Sequence, residues 1–124
     1  MKHLLSALFL LSFALSAQAA VKGLPEELTG ATEETIQEDA ILEISDAMGC
    51  ELPTDISAKY AIVKSEKQDE EYAEYPGELS SFVLETKLTL PKGCKKTGAI
   101  TCDILFNLYD ERSYDADSSS VVCK

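Results

Sequence analysis

Between residues 80 and 110 the chain alternates greasy and wet positions with a period of two. Phe82, Leu84, Leu88 and Leu90 fall on even positions, while Glu85, Lys87 and Thr89 fall on odd ones. After a turn-rich segment, residues 91–98 with Pro91, Gly93 and Gly98, the alternation resumes: Ile100, Cys102, Ile104, Phe106 and Leu108 are even, and Thr101, Asp103 and Asn107 are odd. A period of two gives one apolar and one polar face, so the pattern predicts two half-buried β-strands joined as a hairpin.

The rest of the chain is read around this hairpin. Upstream, Ile56, Ala58, Tyr60 and Ile62 alternate with Ser57, Lys59 and Ala61, which predicts another strand ending near Lys64. Before it, Ile36, Ala40, Ile44, Ala47 and Met48 recur at helical spacing. The spacing predicts a helix over 32–48, with Thr32 capping its first turn, Glu33 and Glu34 at the positive end of its dipole, and Gly49 closing it. The competing reading is a strand over 40–45 with Leu42 and Ile44 inward. Residues 21–30, with Gly23, Pro25 and Gly30, read as a loosely ordered leader. Residues 65–78 hold six carboxylates and two tyrosines before Pro76-Gly77 and read as an acidic loop. Residues 110–120 read as a second polar loop, and residues 121–124 as a short last strand. The expected fold is α+β: one N-terminal helix packed on a four-stranded antiparallel meander.

Residues 1–20 stand outside that fold. Lys2 and His3 begin it, an apolar run follows over 4–15, and Ala17-Gln18-Ala19-Ala20 supplies the small residues of a cleavage site. This is the pattern of a cleavable secretory signal peptide, too short to span a bilayer. One small domain over 21–124 remains, expected to be secreted or periplasmic. Its four cysteines, Cys50, Cys94, Cys102 and Cys123, read as two disulfides rather than a metal site, since no Cys-x-x-Cys pair occurs. In a meander all four land at one end of the sheet. That favours Cys50–Cys94 with Cys102–Cys123 over Cys94–Cys102 with Cys50–Cys123.

Composition narrows the function classes. The one histidine is His3, so residues 21–124 offer no Ser-His-Asp or Cys-His catalysis and no histidine metal ligand. The formal net charge is −11, with 22 acidic against 11 basic residues. Such a field repels nucleic acid and anionic lipid and attracts cations. Asp115, Asp117 and Ser119 match the opening of a calcium loop, but Ser120 stands where glycine is required and no closing glutamate follows. No catalytic residue, metal or cofactor is therefore expected. The candidate partner-binding residues are Glu70, Glu71, Tyr72, Glu74 and Tyr75 in the acidic loop, and Lys95 and Lys96 on the hairpin tip. The leading expectation is a non-enzymatic binding or inhibitory module with an acidic surface and a protein partner, a basic one being the candidate. A structural cell-envelope protein is the alternative, and a small hydrolase working without histidine is third.

Intact-mass measurement of the exported protein should show a chain beginning at Ala20 or Val21. Retention of residues 1–15 would contradict the signal-peptide reading.

Overall fold

A computed structural model describes residues 20–68, 79–110 and 112–124. Helix α1 spans Ala31–Met48. The strands are β1, Ala58–Lys67; β2, Leu79–Leu90; β3, Gly98–Asp110; β4, Ser113–Ala116; and β5, Val122–Cys123. All strand pairs are antiparallel, in the order β1-β2-β3-β4, and β5 also pairs with β3.

The period-two pattern translates directly into burial. Phe82, Leu84, Leu88 and Leu90 of β2 and Ile100, Cys102, Ile104 and Phe106 of β3 all point into the core. Phe82 lies opposite Phe106, and their rings stack with centroids 5.2 Å apart. Helix α1 covers this face with Ile36, Ala40, Ile41, Ile44 and Met48, and one hydrophobic cluster takes in both layers. The rival strand reading over 40–45 fails, because Leu42 is 52% exposed. Gly49 closes the helix in the left-handed conformation (φ 65°). Its N–H donates to the Asp46 carbonyl, and the N–H of Cys50 to that of Ser45, which satisfies the last turn.

Both predicted disulfides form: Cys50–Cys94 and Cys102–Cys123, with no free cysteine. Cys102 and Cys123 face each other in register, with Cα atoms 4.0 Å apart. Neighbouring Thr101 and Lys124 exchange two backbone hydrogen bonds, of 3.2 and 2.9 Å. The cysteines therefore occupy the closer, non-hydrogen-bonded type of pair. Cys50–Cys94 ties the end of α1 to the β2–β3 turn.

Four expectations are corrected. First, residues 21–30 are not a loose leader. The Lys22 N–H donates to the Tyr60 carbonyl (2.9 Å), and the Ile62 N–H donates to the Lys22 carbonyl (2.8 Å). This places Lys22 as a parallel bridge on the open edge of β1. Val21 and Leu28 are buried, Leu28 through a 3-10 turn over Glu26–Leu28 that follows Pro25. Edge coverage and two buried side chains outweigh the local glycines and proline. Second, the helix begins at Ala31 with Gly30 in the cap position and no side-chain cap, so Thr32 is already helical. Third, residues 110–120 are not one loop. Strand β4 pairs with the end of β3, and Tyr114 inserts into the core, its hydroxyl donating to the Leu79 carbonyl at 2.8 Å and its ring meeting Phe82 edge-on. The 3-10 turn Ser118–Ser120 then bridges to β5, with the Leu105 N–H donating to the Ser120 hydroxyl at 2.9 Å. A side-chain oxygen thus takes the place of a strand carbonyl, and the edge of β3 stays hydrogen-bonded between β4 and β5. Fourth, strand β1 runs on to Lys67, past a bulge at Val63 that puts this apolar side chain in solvent.

Reduction should unfold the domain. The bridges close loops with sequence separations of 44 and 21, and chain entropy assigns each roughly 3–4 kcal/mol of the ~5–15 kcal/mol typical of a whole domain. Tyr114→Phe should cost about 1–2 kcal/mol by leaving the Leu79 carbonyl without its donor. Urea denaturation measures both. A Tyr114→Phe midpoint equal to wild type would show that β4 is not docked as described.

Candidate functional site

The acidic surface that the structure describes is built by α1. Asp39, Glu43 and Asp46 sit at positions i, i+4 and i+7, which a 3.6-residue period places in one stripe. That stripe borders the one formed by Ile36, Ala40 and Ile44, which is buried. Docking of Tyr114 fixes β4 beside the helix and brings Asp115 to the stripe; the turn after it brings Asp117. The electrostatics register the crowding. The carboxyl of Asp39 is pushed above its ordinary value of 3.8, first by burial, then by the charges of Asp115 and Glu38. Glu43 is pushed above 4.5 by burial first, then by Asp46, Asp39, Asp115 and Asp117. Five carboxylates from three segments thus form one ridge, within which the neighbouring charges raise the proton affinity of Asp39 and Glu43.

A cleft of about 210 Å³ opens at the N-terminal end of this ridge. Thr32, Asp39, Tyr109, Arg112, Tyr114 and Asp115 are among its lining residues. Tyr109 is 68% exposed at the end of β3. A rigid aromatic side chain beside carboxylates suits the ammonium or guanidinium of a basic side chain, through charge and through ring contact.

The sequence-predicted site residues fare differently. Glu70, Glu71, Tyr72, Glu74 and Tyr75 lie outside the described residues. Lys95 and Lys96 lie on the β2–β3 turn, as expected, and both are tied into the scaffold. The Lys95 N–H donates to the Met48 carbonyl at the C-terminal end of α1 (2.9 Å). Its aliphatic chain runs over Gly49, where an added Cβ would come within 3.4 Å of Cε. The Lys96 ammonium donates to the Cys123 carbonyl at 3.0 Å. The hairpin tip thus hydrogen-bonds the helix end and the last strand, alongside the two disulfides. In the Asp115–Ser119 run, Asp117 Oδ1 accepts from the Ser119 N–H (3.0 Å) and hydroxyl (2.6 Å), capping the 3-10 turn. Among the described residues, no three His, Cys, Asp or Glu side chains are grouped as metal ligands.

Two hydroxyl groups belong to the core rather than to the surface. Burial pushes Tyr60 up to about 12, and its hydroxyl is enclosed without a hydrogen-bond partner, as is that of Thr86, which faces Tyr60 across the β1–β2 pairing.

Sequence reasoning missed the helix ridge, although the 39/43/46 spacing was available. It missed Asp115 for a different reason: nothing local announces that residues 113–116 pair with β3 and run beside α1. No protein-family model matches the chain, and neither a curated protein nor a solved structure gives a significant match.

Proposed function

We propose that this protein is an exported, disulfide-stabilised, non-enzymatic binding or inhibitory module whose acidic surface engages a protein partner presenting lysine or arginine side chains. The observation that carries the reading is the ridge of Asp39, Glu43, Asp46, Asp115 and Asp117. There, like charges are held together at a cost that burial increases. A cationic partner would relieve that repulsion on binding, and the surrounding field would accelerate its approach. In sequence, residues 65–78 hold six further acids. Two disulfides support a non-reducing compartment, in line with export. The signal-peptide pattern of residues 1–20 supports it independently.

The pH dependence has a definite sign. Asp39 and Glu43 titrate above their ordinary values in the folded state, so the folded protein takes up protons first. Their repulsion is present in full above the folded values and is relieved as pH falls towards the ordinary carboxylate range. The double variant Asp39→Asn/Glu43→Gln should therefore gain stability relative to wild type near pH 7, and the gain should shrink on acidification through that window. Urea midpoints at several pH values measure it.

Partner binding gives the functional test. Immobilised mature protein should retain one soluble protein from its native extracellular or periplasmic fluid, saturably and with release by salt. Against that purified partner, Asp39→Asn/Glu43→Gln/Asp115→Asn should slow association about tenfold and flatten its salt dependence. The loop set Glu70→Gln/Glu71→Gln/Glu74→Gln should act in the same direction. A partner indifferent to both sets would refute the acidic-surface reading.

A further inference from the structure

The face of the sheet turned away from α1 carries a different chemistry, independent of the acidic ridge. At its disulfide end lies a groove of about 560 Å³, a volume in the range of small-molecule sites. Strand register sets its floor. Lys59 lies opposite Lys87, and Lys87 lies opposite Thr101. Thr101 exchanges its two backbone hydrogen bonds with Lys124. Lys59, Lys87, Thr101 and Lys124 therefore form one row across four strands, about 14 Å long at roughly 4.8 Å per strand. Ser57 and Thr89 also line the groove. Its polar side chains are thus three ammonium groups and three hydroxyls, and no carboxylate is among them. In a chain with twice as many acids as bases, this is a segregated donor set.

The row also carries a local conflict. Like charges directly opposite each other in an antiparallel pair are destabilising, and Lys59 faces Lys87. Lys87 has one internal partner, Glu85, at 3.7 Å. Among the described residues, no carboxylate forms an ion pair with Lys59 or Lys124. We propose that this groove binds a small, multiply charged anion, whose carboxylate or phosphoryl oxygens accept from Lys59, Lys87 and Lys124 and from the threonine hydroxyls. The ligand is small rather than polymeric for an electrostatic reason. Among the side chains that line the groove only the lysines are charged, and Glu85 and Asp103, opposite each other, occupy the next row of the same face, inside the screening length of about 8–10 Å at physiological salt. Beyond it, an extended polyanion meets the protein's overall charge of −11.

The test uses the disulfide-bonded protein at constant ionic strength. It is titrated separately with inorganic pyrophosphate and with citrate, and with acetate as the singly charged control, followed by calorimetry and amide chemical shifts. At least one multianion should bind saturably, and which one does distinguishes phosphoryl from carboxylate chemistry. Shifts should centre on Lys59, Lys87, Thr101 and Lys124. Lys59→Ala and Lys87→Ala should each weaken binding about tenfold. Glu85→Gln should tighten it about two- to threefold by freeing Lys87. Lys95→Ala, on the hairpin tip, should leave it unchanged. Bound anion should also raise the melting temperature of the wild type and not of Lys59→Ala/Lys87→Ala. Both alanine positions are on the outer face, and an unchanged circular dichroism spectrum confirms that the variants fold. The proposal is overturned if neither multianion saturates, if the double variant binds as wild type does, or if the shifts map to residues 92–96.

Discussion

The pairing of β2 with β3 is the constraint on which the rest depends. Ten consecutive residue pairs, from Ser81 opposite Asn107 to Leu90 opposite Gly98, run without a bulge. Because side chains alternate, this one register decides which face is apolar over the whole central hairpin. A slip by a single residue would set Glu85, Lys87 and Asp103 against Ile36 and Ile44. The register also fixes three later events. It stacks Phe82 on Phe106, giving Tyr114 a ring to meet edge-on. It turns Cys102 inward, where β5 can bring Cys123 alongside. And it ends in the turn that carries Cys94 to the end of α1.

Topology then sorts the charges. Both disulfides, the C-terminal end of α1 and the β2–β3 turn meet at one end of the sheet, where Lys95 and Lys96 make hydrogen bonds that hold neighbouring segments. The hairpin tip looked like a docking loop in the sequence; in the fold it is bonded to the helix and to the last strand. The carboxylates gather elsewhere. Helical periodicity lines up Asp39, Glu43 and Asp46 beside the buried stripe, and β4 can lie along the helix only if Asp115 joins them. The outer face of the sheet is a third environment, since the odd positions of β1, β2 and β3 place Lys59, Lys87 and Thr101 in one row. A strongly acidic chain thus presents an anionic ridge on one layer and a cationic groove on the other.

What could be read in the sequence follows from the length of each signal. Strands β2 and β3 contain 12 and 13 residues, long enough for a period of two to be unmistakable, and the disulfide pairing followed from the meander they implied. The helix was legible from Ile36, Ala40 and Ile44, although Ile41, fully buried, was passed over. Strand β4 has four residues, with Tyr114 buried and Ala116 partly buried on the same face. No periodicity can be established on two residues, and the surrounding Asp and Ser pointed to a turn. The same holds at the other end, where Val21 and Leu28 are buried by tertiary contacts on either side of Gly23 and Pro25. For the site, residue type located the acidic character, but the grouping of Asp115 with Asp39 depends on that missed strand, and the lysine row depends on register across four strands.

If the β2–β3 register organises the molecule, it should be the last structure lost. Native-state hydrogen exchange of the disulfide-bonded protein tests this directly. The amides of β2 and β3 between Phe82 and Leu88, and between Ile100 and Phe106, should exchange only through global unfolding, with a single opening free energy equal to that from urea denaturation. The amides of α1, β4 and the Lys22 bridge should open at lower free energy. Helix amides outlasting those of the central hairpin, or β2 and β3 opening separately, would contradict the account.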